Sequence, residues 1–335
     1  MNNQRIVLAS RPAAEPTTAN FRLEEVALAP LEDGQVRVKH HYLSLDPYMR
    51  GRMNDAKSYA QPQPLNETMI GGTVGEVVES RNPKFAVGDK VVGMGGWQQF
   101  STASGKGDIS KVDTTHIPLS AYLGSVGMPG MTAWYGLMKI CEPKTGETVC
   151  VDAASGAVGS VVGQLAKLKG MHVVGIAGGV EKCAYVKNEL GFDDCIDYKA
   201  FPDPKAFYGA LKAVTPRGID CHFENVGGTI MDAVMLRMNA FGRVAMCGMI
   251  SGYNGAPIPM MAPQLILQSR LKFQGFIVSE HMNLWPEGLT ELGGYVASGK
   301  IKFRESIAHG LANAPQSFLD LLKGKNFGKQ LVKLV

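Results

Sequence analysis

Hydrophobic and polar positions follow two different patterns along the chain. In the first third, short runs rich in β-branched residues are broken by turn residues. Gln35 to His40 alternates as a strand does. Thr73 to Glu79 and Lys90 to Met94 follow, with Pro-Lys and Gly-Asp turns between them. No long helical period interrupts these runs, so the segment reads as an all-β or α+β lobe. Near residue 123 the pattern changes, and from Thr148 short β-branched runs alternate with amphipathic stretches. Strands are predicted at 148–152, 172–177, 194–196, 219–223, 243–247 and 271–276. Helices are predicted near 158–169, 181–190, 204–214, 229–238 and 262–269. Six strands with intervening helices predict an α/β fold, a doubly wound parallel sheet of the Rossmann kind. Past about residue 298 the chain turns polar and mixed. It ends in a largely apolar run, 330–335, suited to returning to the first lobe. The expected division is residues 1–122 with 298–335, and residues 123–297.

Composition narrows the class. The chain has 335 residues, 45% apolar and 19% charged, which excludes disorder and leaves room for two domains without disulfide or metal staples. A net charge of +4, with no run of five basic residues, argues against a nucleic-acid partner. The start offers only four consecutive apolar residues before Ser10, too few for a signal-peptide core. The uncharged stretch 117–138 holds four glycines and two prolines, and reads as a buried, turn-rich segment rather than a membrane span. Six cysteines, none in a C-x-x-C pair, predict thiols in a reducing compartment, hence the cytoplasm.

The most specific chemistry lies after the first strand of the second region. Residues 148–152 run into Ala153, Ala154, Ser155, Gly156, Ala157, Val158 and Gly159, and a helix with apolar Val161, Val162, Leu165 and Leu168 follows. This is a dinucleotide fingerprint with alanine in the first glycine slot. Gly156 lets the backbone approach a pyrophosphate, and Gly159 lets the helix pack closely. The helix N-terminus offers unpaired N–H groups. The next strand ends in Gly178-Gly179-Val180 with no carboxylate at its tip, and Lys182 follows Glu181. A missing acid and an added cation suit a 2′-phosphate, which favours NADP(H) over NAD(H).

Catalytic zinc needs three protein ligands and an open position. No cysteine precedes Cys141, and adjacent His40 and His41 face opposite sides of a strand, so no metal is expected. The cysteines are too widely spaced for a closed structural site. No G-x-S-x-G elbow suggests a serine hydrolase.

The segments LSLDPYMRGRM (43–53), GGTVGEVVES (71–80), GMPGMTAW (127–134), AASGAVG (153–159), GGVEKC (178–183), ENVGG (224–228), CGMISGYN (247–254) and LLKGKNFGK (321–329) resemble the zinc-free medium-chain dehydrogenase/reductase superfamily. Within it the chain is similar to the 2-alkenal and prostaglandin reductase branch, and most of all to bacterial NADPH-dependent curcumin reductases. The resemblance covers nearly the whole chain. It implies a mostly β, GroES-like catalytic domain beside the Rossmann domain, and a homodimer. It places Pro47 and Tyr48 beside the nicotinamide and substrate, and the pyrophosphate on Ala153–Gly159. It puts Gly178, Lys182 and Tyr198 around the 2′-phosphate and adenosine. Asn225 and Cys247 line the cofactor groove, and Tyr253 contacts the nicotinamide ribose. Phe276, Ile277 and Val278 flank the nicotinamide through backbone groups, and Asn326 returns to the cofactor from the C-terminal segment.

The implied reaction is conjugate reduction of an α,β-unsaturated aldehyde or ketone by NADPH. Charge developing on the carbonyl oxygen must be stabilised, and Tyr48 and Tyr253 are the candidate catalytic residues. A tyrosine with a pKa near ~10 can donate at neutral pH. Two alternatives share the cofactor loop: a quinone reductase of the same superfamily and a non-catalytic NADPH-binding sensor.

Overall fold

The computed structural model describes residues 2–255 and 258–335, and the chain divides into two compact units. The first unit takes the chain up to Leu123 and again from Glu305 to Val335; the second is Gly124–Arg304.

The first unit opens with β1 (Asn2–Leu8) and β2 (Phe21–Ala27), an antiparallel pair. β3 (Val36–Ser44) is the hub of a second sheet. It pairs with β4 (Thr73–Ser80) and β6 (Phe100–Ala103), and β4 continues through β5 (Lys90–Gly93) to β7 (Ile109–Lys111). Period-2 alternation drives this: Val36 and Val38 bury on one face with Val77, Val91 and Ile109. At Gly75 a Cβ would lie 2.1 Å from the Lys39 carbonyl oxygen, so β3 and β4 cross closely enough to require glycine. A five-residue helix, α1 (Tyr48–Arg52), follows β3 directly.

The second unit begins with α2 (Met128–Tyr135), which runs into a π-helical segment, Gly136–Cys141. The strands β8 (Thr148–Val151), β9 (His172–Ala177), β10 (Asp194–Asp197), β11 (Ile219–Glu224), β12 (Met238–Met246) and β13 (Lys272–Gly275) form one sheet in the order β10-β9-β8-β11-β12-β13. Every pair is parallel. Helices α3 (Gly159–Leu168), α4 (Val180–Asn188), α5 (Pro204–Val214), α6 (Gly228–Met235) and α7 (Gln264–Gln268) connect the strands in turn. This is the doubly wound Rossmann order. All six strands stand where the periodicity predicts them. β12 starts earlier than expected, at Met238, with Phe241 at φ 64 inside it.

A helix that the hydrophobic pattern does not predict, α8 (Trp285–Ala297), follows β13. The second unit also extends past residue 298: Ile301 is buried, and the Gln164 amide exchanges hydrogen bonds with the Lys302 backbone at 2.8 Å in each direction. The return to the first unit therefore falls at Glu305. There β14 (Glu305–His309), α9 (Ala314–Leu322) and β15 (Lys329–Lys333) complete it, with β15 antiparallel to β3.

Candidate functional site

In the second unit, every connection implicated by the sequence leaves the carboxyl end of a parallel strand. Ala153–Gly159 follows β8, Gly178 and Lys182 follow β9, and Tyr198 follows β10. Asn225 follows β11, Cys247 and Tyr253 follow β12, and Phe276, Ile277 and Val278 follow β13. This edge of a doubly wound sheet is where such folds bind ligands.

The β8 loop is a tight backbone cradle. Ala153 adopts φ 44, and its carbonyl accepts the Gly156 N–H at 2.8 Å. A Cβ on Gly159 would sit 2.5 Å from that carbonyl, and one on Gly156 3.0 Å from it. The first turn of α3 then bonds back from Ser160 to the Gly156 carbonyl and from Val161 and Val162 to that of Val158. A helix N-terminus leaves its first N–H groups without intrahelical partners, which is what a phosphate requires. Gly163 fixes the helix: a Cβ there would lie 1.8 Å from the buried Phe192 ring, in the connection between α4 and β10. The close packing thus involves that ring as well as the strand.

At the tip of β9, Gly178 lies against Tyr198 and Lys199: a Cβ would be 2.8 Å from Tyr198 Cε1 and 3.0 Å from Lys199 Cε. A carboxylate does occupy this corner, contributed by β10. Asp197 pairs in register with Ala177, and its Oδ1 accepts the N–H groups of Gly179 at 2.7 Å and Lys199 at 3.0 Å. Its charge is engaged by the backbone. Burial and the nearby Lys199 both lower the Lys182 pKa, with Glu181 opposing them.

Beneath the β11 loop lies a cluster that motif reading missed. Asp152, His222 and Glu224 are fully buried, with ligand-type atoms within 4.8 Å of one another. Glu224 Oε1 accepts the N–H groups of Val226 and Gly227, each at 2.7 Å, and Oε2 faces His222 Nε2 at 3.0 Å. Asp152 Oδ1 accepts the Asn225 N–H at 2.7 Å and its side-chain amide at 3.0 Å; Oδ2 accepts the Val226 N–H at 3.1 Å. Burial and the neighbouring Glu224 charge hold Asp152 protonated, well above the usual carboxylate range. The bonds to Glu224 outweigh its burial and bring it down to about 2. One proton is therefore shared across the pair. With no open position and its oxygens already bonded, the cluster does not suit a catalytic zinc.

This cluster sets the next layer. Cys247 Sγ donates to Asn225 Oδ1 at 2.9 Å. The Ile250 and Ser251 N–H groups bond to the carbonyls of Asn225 and Val226 at 3.1 Å each. Tyr253 closes the loop, its hydroxyl accepting the Met249 N–H at 3.4 Å. On the β13 side, Phe276 is buried against Tyr135 and Phe223, and the Val278 carbonyl accepts the Trp285 indole N–H at 3.3 Å.

In the first unit, Pro47 and Tyr48 sit at the turn from β3 into α1. Tyr48 is half-buried against the apolar core, with Arg52 5.9 Å from its ring. Burial and Asp46 raise its pKa above the ordinary tyrosine value. The turn is pinned from the other end of the chain. Buried Lys329 Nζ donates to Asp46 Oδ1 at 3.0 Å and to the Leu45 carbonyl at 2.7 Å. Asn326 lies just before β15, and its amide donates to the Gly328 carbonyl at 2.8 Å, holding its own turn.

Residues 4–112 match the family described as the N-terminal domain of oxidoreductase, and residues 157–293 that described as zinc-binding dehydrogenase. The NADPH-dependent curcumin reductase of Escherichia coli (strain K12) is 46% identical over 339 residues, covering 99% of this chain and 97% of the relative. The chain belongs to the medium-chain dehydrogenase/reductase superfamily, in its 2-alkenal and prostaglandin reductase branch. An NADP(+)-dependent 2-alkenal reductase of Nicotiana tabacum is 40% identical over 99% of this branch member and 97% of its own length. The crystal structure of CurA in complex with NADPH from Vibrio vulnificus superposes with a TM-score of 0.93 at 46% identity, covering 99% of each chain. The dehydrogenase/reductase fold is thus shared over the full chain, and the glycine cradle fits a dinucleotide.

Proposed function

We propose that this enzyme reduces the carbon–carbon double bond of α,β-unsaturated aldehydes and ketones with NADPH. The observation that carries this is the full-length likeness to a curcumin reductase and a 2-alkenal reductase. Both named substrates hold a double bond conjugated to a carbonyl.

The Ala153–Gly159 cradle holds the pyrophosphate, and Gly178, Lys182 and Tyr198 take the 2′-phosphate and adenosine. Asn225 and Cys247 line the groove, Phe276, Ile277 and Val278 flank the nicotinamide, and Asn326 and Pro47 complete the contacts. Bound NADPH supplies a hydride to the β-carbon of the substrate. Negative charge then gathers on the carbonyl oxygen, where a hydrogen-bond donor lowers the barrier. Tyr48 is assigned that role because its burial keeps the phenol protonated. Tyr253 is assigned to positioning the cofactor ribose, since its hydroxyl already accepts an N–H from its own loop. The α-carbon takes its proton from Tyr48 or water.

The finer reading includes a homodimer in the cytoplasm, with no nucleic-acid or membrane partner. Its support is the edge strand β13, the exposed Phe241 and Leu267 on β12 and α7, and the absence of disulfides among the described residues. No helix among the described residues is long and apolar enough to cross a membrane.

The test is to mix purified protein with NADPH and a panel of enals and enones, curcumin included. Cofactor oxidation is followed and products are weighed by mass spectrometry. Saturated carbonyl products, each two hydrogens heavier than its substrate, are expected. NADPH binding without such products, or turnover confined to quinones, overturns the reading.

A further inference from the structure

We propose that Lys199 is a second cation of the adenosine phosphate subsite, meeting the 2′-phosphate from the β10 side while Lys182 meets it from α4. The pair, rather than Lys182 alone, then sets the preference for NADPH over NADH. This inference rests on the reading of the chain as an NADPH-dependent reductase.

Three observations carry it. First, the side chain is in the right place. Lys199 follows Tyr198 in the short turn after β10, yet its Cε lies 3.0 Å from where a Cβ on Gly178 would stand. Gly178 directly follows β9, the strand whose tip receives the ribose in this fold. The absence of a side chain at Gly178 leaves room there for both Tyr198 and Lys199.

Second, the main chain that carries this side chain is tied to the β9 tip. Asp197 Oδ1 accepts both the Gly179 and the Lys199 N–H groups. One carboxylate thereby ties the β9 tip to the residue that carries the second ammonium. The same bonds draw the Asp197 charge onto the backbone. An acid at such a tip would otherwise repel a phosphate; here it organises the cations around one.

Third, the two lysines feel each other. Lys199 is a named source of the repulsion that lowers the Lys182 pKa, second to burial. Like charges that repel one another are better accommodated when an anion joins them. A 2′-phosphate, with nearly two negative charges, converts that repulsion into two charge-assisted bonds. NADH brings no such group, so the repulsion is not relieved.

The test compares Lys199→Ala, Lys199→Arg and Lys182→Ala by the ratio of kcat/KM with NADPH to that with NADH. Binding of adenosine 2′-monophosphate and adenosine 5′-monophosphate is measured by calorimetry. For Lys199→Ala we expect the NADPH/NADH ratio to fall roughly tenfold, with a similar loss of 2′-monophosphate affinity. Lys199→Arg should retain most of both. An unchanged ratio in Lys199→Ala, with a reduced one in Lys182→Ala, overturns the role of Lys199 and leaves the subsite standing. Equal losses with both nucleotides in Lys199→Ala also overturn it, since they point to local damage. If neither variant moves the ratio, the placement of the phosphate itself is wrong and the inference falls with it.

Discussion

At the scale of single residues, the proposed reaction takes its hydrogen-bond donor from Tyr48. The phenol is half-buried, and desolvation together with the Asp46 carboxylate pushes its ionisation above the usual tyrosine range. It therefore remains a hydrogen-bond donor throughout neutral and mildly alkaline pH. Replacing it by phenylalanine keeps the ring against its apolar neighbours and removes only the donor. We expect Tyr48→Phe to lower kcat on the order of 10²-fold while the NADPH Michaelis constant changes little. Steady-state kinetics on a simple enone reads this directly, and normal turnover would remove Tyr48 from the mechanism. The Tyr48 motif was plain in the sequence, but its anchoring was not. Asp46 and Lys329 stand at opposite ends of the chain and meet only because β15 pairs with β3. The amide of Asn326, which the resemblance assigns to the cofactor, also bonds within the turn that leads into β15.

At the scale of elements, the second unit was legible because its strands are short, β-branched and separated by amphipathic helices. The dinucleotide loop declares itself through glycines that the backbone needs. The helices α2 and α8 were hidden for opposite reasons. α2 is buried almost all round, so it has no polar face to set a period. α8 begins Trp-Pro-Glu-Gly and carries three glycines, which read as turns. The Asp152–His222–Glu224 cluster was invisible because β8 and β11 bring it together only by pairing. Its internal bonding predicts an asymmetry. Asparagine at 152 can still donate to Glu224 and accept from Asn225. Glutamine at 224 turns an amide N–H₂ towards donors that the carboxylate now satisfies. We expect Glu224→Gln to cost about 3 kcal/mol of unfolding free energy and Asp152→Asn about 1 kcal/mol. Urea unfolding of the two variants measures this, and equal costs would contradict the shared proton.

At the scale of the whole molecule, the first unit carries a built-in acid weakness. His40 is buried in the sheet beside a cavity of about 170 Å³ lined also by Thr73, Gly95 and Ser101. Neither ring nitrogen has a hydrogen-bond partner among the described residues. Burial, with help from neighbouring His41, brings its pKa down to about 3, against an ordinary 6.5. In the unfolded chain this imidazole takes a proton near pH 6.5; in the folded chain it stays neutral until about pH 3. Between those values the unfolded state binds more protons, so stability is complete above 6.5 and declines as pH falls. The full difference corresponds to on the order of 5 kcal/mol, a large share of a domain's stability. Carboxylates held low by ion pairs, such as Asp193 with Lys167, add their own acid loss, but only nearer pH 4 and below. Other groups titrate over the same window: His41, also lowered by burial, adds to the loss, while buried Asp152, held protonated in the fold, opposes it, so the share of His40 is read as the difference between variant and parent. A His40→Gln variant keeps a polar side chain of similar size and removes the titration. Its melting temperature should fall less than that of the parent protein across this window, even if it starts lower. Parallel melting curves at every pH would mean that the buried imidazole is already protonated, or hydrated enough to titrate normally.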